Sequence, residues 1–183
     1  EVGGDLYTFF RMDDKRLFFA VGDVSGKGVP AALFMAVTLT LMKGMQHQKV
    51  SPSGILKQVG HELALQNEHT MFVTVFCGIL DTETGVLEYS NAGHLPPILL
   101  KEGLAPICMD LPKGIVLGIS NYPIYEDRCV RLNPGETLVI YTDGVNEAMN
   151  SEQKLFGEDR LLAFLEDKAS EPVSSITASL CDA

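Results

Sequence analysis

No apolar run in this 183-residue chain reaches the ~20 residues that a membrane-spanning helix needs. The longest, residues 31–42, is interrupted by Thr38 and Thr40. No basic stretch followed by a signal-type apolar core opens the sequence. Basic residues are scarce: 14 Lys and Arg against 24 Asp and Glu leave a formal net charge of −10. A phosphate backbone or an anionic membrane repels such a surface, so nucleic acid and direct membrane insertion drop out as expected partners. Cysteine is sparse and unpaired in spacing. Cys77, Cys108, Cys129 and Cys181 form no CxxC, and they read as buried, reduced thiols of a cytoplasmic protein. Internal repeats, low-complexity stretches and linkers are also missing. What is present is 46% hydrophobic and 21% charged residues, the composition of a packed domain, and the length fits one domain.

Residues 4–11 and 16–23 are short aromatic and β-branched runs around the turn Met12-Asp13-Asp14-Lys15, which predicts a hairpin. Pro30 stands where a first helical turn belongs, and the helix continues to about Met45. That helix is apolar nearly all round, so burial is expected on every side. A second helix opens with Ser51 as N-cap and Pro52 at its first position, placing Ile55, Val59, Leu63 and Leu65 on one face. Residues 71–80 and 86–91 flank Asp81-Thr82-Glu83-Thr84-Gly85 as a second hairpin. Further strands are expected at 98–101, 127–132 and 137–141, and helices at 157–167 and 172–180. Strands in hairpins and helices in pairs imply an α+β layered sandwich with largely antiparallel sheets.

Three acids occupy unusual places. Asp5 follows Gly3-Gly4, Asp23 ends a strand in Gly22-Asp23-Val24-Ser25-Gly26-Lys27-Gly28, and Asp143 ends another in Tyr141-Thr142-Asp143-Gly144. A carboxylate at a strand end beside glycine projects from a rigid element while the backbone turns away. Several meeting at one sheet end make the hard oxygen site that Mg²⁺ or Mn²⁺ prefers. Asp-Gly is also a common turn dipeptide, and each acid taken singly reads as a turn former. The glycine-rich loop is no P-loop: three residues, not four, precede its Gly-Lys pair, and Gly28 replaces the metal-binding hydroxyl. His47, His61 and His69 read as surface residues, whereas His94 sits in the rigid loop Asn91-Ala92-Gly93-His94-Leu95-Pro96-Pro97.

Gly3-Gly4-Asp5-Leu6-Tyr7, the Gly22–Ala32 segment, the Asn91–Pro97 loop and Tyr141-Thr142-Asp143-Gly144-Val145 stand in the order and spacing of one family. Gly157-Glu158-Asp159-Arg160-Leu161 also fits. Together they resemble the SpoIIE/RsbU branch of the metal-dependent PPM (phosphatase 2C-like) serine/threonine protein phosphatases, over essentially the whole chain. The resemblance implies a four-layer α-β-β-α sandwich, two antiparallel sheets flanked by helix pairs, with two Mn²⁺ or Mg²⁺ ions at one end. It assigns Asp23 as the bridging carboxylate, the Val24 backbone carbonyl as a ligand, Asp5 as ligand or orienter of bound water, and Asp143 as a ligand of the other metal. The chemistry then uses activated water and no protein nucleophile.

The same resemblance implies a phosphorylated STAS-type anti-anti-sigma protein as substrate, in bacterial partner-switching signalling. It also implies an N-terminal sensor or receiver domain, and it admits a homodimer. Residues 1–183 are expected to be one phosphatase domain, a fragment of a longer protein lacking the family's first and last strands. Three departures stand out. Thr8 replaces an Asp found in many relatives, and Lys27 stands where some have histidine. The chain also reaches Ala183 before the usual final Asp-bearing strand, and Asp182 does not match it. A non-catalytic module that keeps the fold and binds a partner is the rival expectation.

Overall fold

Strands β1 (Asp5–Arg11) and β2 (Arg16–Val24), along which buried positions alternate with more exposed ones, are joined as the expected hairpin. The computed structural model describes residues 3–65, 67 and 70–181; His69 and Asp182 lie outside the described residues. The second hairpin is also found, as β3 (Val73–Asp81) and β4 (Val86–Ala92). Asp81 caps its turn by accepting the N–H groups of Glu83 and Thr84 at 3.0 and 2.8 Å. Helices α1 (Val29–Gly44) and α2 (Pro52–Leu65) lie between the two hairpins in sequence. Ser51 caps α2, its hydroxyl accepting the Gly54 N–H at 3.3 Å.

Next come β5 (Ile98–Leu100), β6 (Ile107–Cys108), β7 (Arg128–Arg131) and β8 (Thr137–Val139), then α3 (Asp143–Asn146), α4 (Glu158–Leu165) and α5 (Val173–Cys181). One sheet has the order β1-β2-β3-β4-β7 and the other β6-β5-β8, and every strand pairing in both is antiparallel. The α+β class with two antiparallel sheets is therefore as the sequence implies.

The chain forms two units. The first comprises Glu1–His94 and Leu111–Arg131, and the second Leu95–Asp110 and Leu132–Ala183. In the first, Leu6, Phe18, Ala20, Val24, Val73, Val75 and Ile79 from one sheet face are buried with Ile55, Leu56 and Val59 of α2 and Met42 of α1. Each of these side chains larger than Ala20 contributes on the order of 1.5–3 kcal/mol by leaving water. In the second, Ile98 and Leu100 of β5 are buried with Tyr141, Leu161 and Leu165 of α4 and Ile176 of α5.

Several expectations need correction. Helix α1 is not buried on every side: Val29, Leu33 and Val37 are 70, 63 and 51% exposed. At spacing of four they form one solvent-facing stripe. Leu65, at the last turn of α2, is exposed. Only Cys77 is a buried thiol; Cys108, Cys129 and Cys181 are exposed, and all four are free. Strand β8 ends at Val139 rather than at Tyr141. No described helix is long and apolar enough to cross a membrane.

Candidate metal centre

Asp5 is the first residue of β1 and Asp23 the penultimate residue of β2, and the antiparallel register sets them directly opposite one another. Opposed residues of an antiparallel pair share a face. Along β1, Leu6 and Thr8 are buried, whereas Asp5, Tyr7 and Phe9 are exposed. The two carboxylates therefore sit on the face turned away from the helix-covered core. Each offers an oxygen within 4.8 Å of the other's. Two like charges this close repel unless a cation lies between them.

Gly4 clears the space beside them. A β-carbon there would fall on the Val24 carbonyl oxygen and within 2.8 Å of Asp23 Oδ1. The strands are drawn together at this point by the Val24 N–H, which donates to the Gly4 carbonyl at 3.1 Å. The Asp23 carboxylate and the Val24 carbonyl thus border the same small cradle, with Asp5 across the ladder. All are hard oxygen donors, the set that suits Mg²⁺ or Mn²⁺ rather than a soft metal. The donors present fit the expected ions.

Asp143 belongs to the second unit. It does not end a strand, as the sequence led one to expect, but opens the one-turn helix α3 after Thr142, and it is exposed. An acid in a first helical turn favours the turn's free N–H groups.

Thr8 is buried on the opposite face of β1 from Asp5, so the acid that many relatives carry there would not join the Asp5–Asp23 face. In the same unit, a cavity of about 420 Å³ lies among the Ser25–Lys27 loop, the Pro30 start of α1, and Thr70–Met71. His61 is not a bare surface residue, since its Nδ1 lies 2.7 Å from the Asn121 carbonyl. His94 is 95% buried, being only 5% exposed. Sequence reasoning missed Thr74, which lies opposite Asp23 on β3; a β-branched residue inside a strand run carries no signal of its own.

The chain matches the Stage II sporulation protein E (SpoIIE) family over residues 13–183 and belongs to that family. Its fold is that of PP2C-type domains: the SiaA-PP2C domain of Pseudomonas aeruginosa superposes with TM-score 0.83 at 21% identity, over 99% of this chain and 74% of that one. The RsbU and RsbW domains of a Mycobacterium tuberculosis protein match with TM-score 0.78 and 26% identity, over 99% of this chain and 49% of that one. Among named relatives, phosphoserine phosphatase RsbU of Bacillus subtilis (strain 168) is 31% identical over 147 residues, 80% of this chain and 44% of RsbU. The chain spans less than half the length of the curated relatives it matches.

Proposed function

We propose that this chain is a metal-dependent phosphatase domain acting on phosphoserine or phosphothreonine of a regulatory protein. The observation that carries the reading is the Asp5–Asp23 pair, opposite in register with oxygens within 4.8 Å, beside a cradle that only glycine at position 4 leaves open. Asp23 and the Val24 carbonyl would hold the cations from β2 and Asp5 would hold or orient from β1, while the family resemblance gives Asp143 the part of a further ligand. Two Mn²⁺ or Mg²⁺ ions are expected. When bound, such ions supply a water nucleophile at neutral pH and neutralise charge on phosphoryl oxygens. The residues' own part is to fix the donors on rigid strands and to keep the cradle free of side chains.

The substrate we infer is a phosphorylated STAS-type anti-anti-sigma protein in a bacterial partner-switching pathway. Support comes from RsbU, named a phosphoserine phosphatase, and from a surface whose net charge of −10 disfavours nucleic acid. The same proposal includes a cytoplasmic location, an N-terminal sensor or receiver domain in a longer protein that holds residues 1–183 as its phosphatase domain, and a homodimer. The rival non-catalytic module rests partly on Thr8, and Thr8 faces the core instead of the carboxylate pair.

Hydrolysis of p-nitrophenyl phosphate with Mn²⁺ tests the reading on the wild type, Asp23→Asn and Asp143→Asn. Each substitution is expected to cost more than about 100-fold, beyond the range for outer-sphere changes. Equal rates in all three overturn it.

A further inference from the structure

We propose that His94 is a positioning residue for the candidate centre, acting through the Thr74 hydroxyl on the Asp23 end of β2. This rests on the reading of Asp23 as a cation-holding residue. The loop around His94 is built to hold the ring still. Asn91, near the end of β4, accepts the His94 N–H through Oδ1 at 3.2 Å and donates its Nδ2 to the His94 carbonyl at 3.3 Å. Gly93 between them has φ +72°, a conformation that a side chain strains. Both Asn91 and His94 are buried, each 5% exposed.

From this clamp His94 Nδ1 reaches Thr74 Oγ1 at 2.9 Å. Thr74 lies directly opposite Asp23 in the β2–β3 ladder, and its hydroxyl also donates to the Asp23 carbonyl at 3.4 Å. A hydroxyl has one proton, so the two contacts coexist in one arrangement only. Nδ1–H donates to Thr74 Oγ1, and Oγ1–H donates to the Asp23 carbonyl. Asp23 then has its main chain pinned from β3, by a side chain, at the residue whose carboxylate faces Asp5. Outer groups that fix ligand orientation in this way are worth roughly 10–100-fold in metal affinity. An imidazole buried only for packing would leave that affinity alone.

The test is calorimetric Mn²⁺ titration of the full chain, paired with thermal unfolding of the metal-free protein. Thr74→Val keeps volume while removing the hydroxyl, and His94→Phe keeps a flat, somewhat larger ring while removing the nitrogens. Each is expected to weaken Mn²⁺ binding by about tenfold or more, and Thr74→Ser, which keeps the hydroxyl, to restore it. The double variant should bind no more weakly than either single one, because both break one chain of contacts. Wild-type affinity in both Thr74→Val and His94→Phe, with binding lost in Asp23→Asn, overturns the inference while leaving the proposed site standing. An additive double variant also overturns it. Wild type that takes up no Mn²⁺ removes the proposed site and this inference with it. Should His94→Phe fail to fold, the Thr74→Val and Thr74→Ser pair decides.

Discussion

At position 4 a β-carbon would fall on the Val24 carbonyl and within 2.8 Å of Asp23 Oδ1. Gly4→Ala is therefore expected to weaken Mn²⁺ binding by at least about tenfold, with the circular dichroism spectrum unchanged; unaltered affinity would remove the cradle from the account. A second residue-scale effect concerns Glu88, on β4. Partial burial, reinforced by Asp127 and opposed by Arg16, raises its carboxyl above the usual 4.5. A raised carboxyl favours the protonated form in the fold, so its stabilisation is present below the ordinary value and fades as pH rises through the folded one. Glu88→Gln should accordingly raise the unfolding temperature at pH 7 and give no gain near pH 4, as thermal scans at both values would show. Asp5 and Asp23 were legible from their motifs, because glycine beside an acid at a strand end is a local pattern. Thr74 and the job of Gly4 were not. Both depend on which residue the register brings opposite, and register is a property of two strands.

Among elements, α2 shows a cap supplied from far along the chain. Asp127 accepts the Ser53 N–H at 2.7 Å and the Ser53 hydroxyl with its other oxygen, across 74 residues of sequence. Asp127→Ala should cost about 1–2 kcal/mol, the usual worth of a capping acceptor, read from the denaturant midpoint. Helix α1 offers a contrast within one element. Leu33→Lys on its exposed stripe should change stability by no more than about 0.5 kcal/mol. Met42→Ala, at a fully buried position, should cost about 2–5 kcal/mol. The hairpins were readable because aromatic and β-branched runs flanking turn residues are local signals. The facing of α1 was not, because a helix apolar nearly all round has no periodic contrast to show which side meets the sheet. The end of β8 was missed for a similar reason. Ile140 and Tyr141 continue the apolar run past Val139, so nothing in the residue types marks where pairing stops.

On the scale of the whole molecule, each unit has its own apolar centre. Leu161→Ala empties a fully buried site in the second. It is expected to speed amide exchange in α4, α5 and β5 while leaving the β2–β3 amides protected; exchange measured by mass spectrometry would show whether the loss stays within that unit. The family could be recognised over the whole length because four motifs stand in register, whereas the division into units comes from chain segments that interleave and leaves no boundary in composition. One consequence of the β1–β2 pairing reaches beyond the site. Strand β1 is the edge of its sheet and begins with Asp5, whose charge pushes against Asp23 across the ladder. On the proposed function, a cation shared between them would act as a clasp. By mass action, at a hundred times its dissociation constant it adds about 2.7 kcal/mol to whatever state binds it. The opening strand would then fray when divalent ions are scarce and fasten when they are plentiful, so that its resistance to proteolysis becomes a gauge of ion supply.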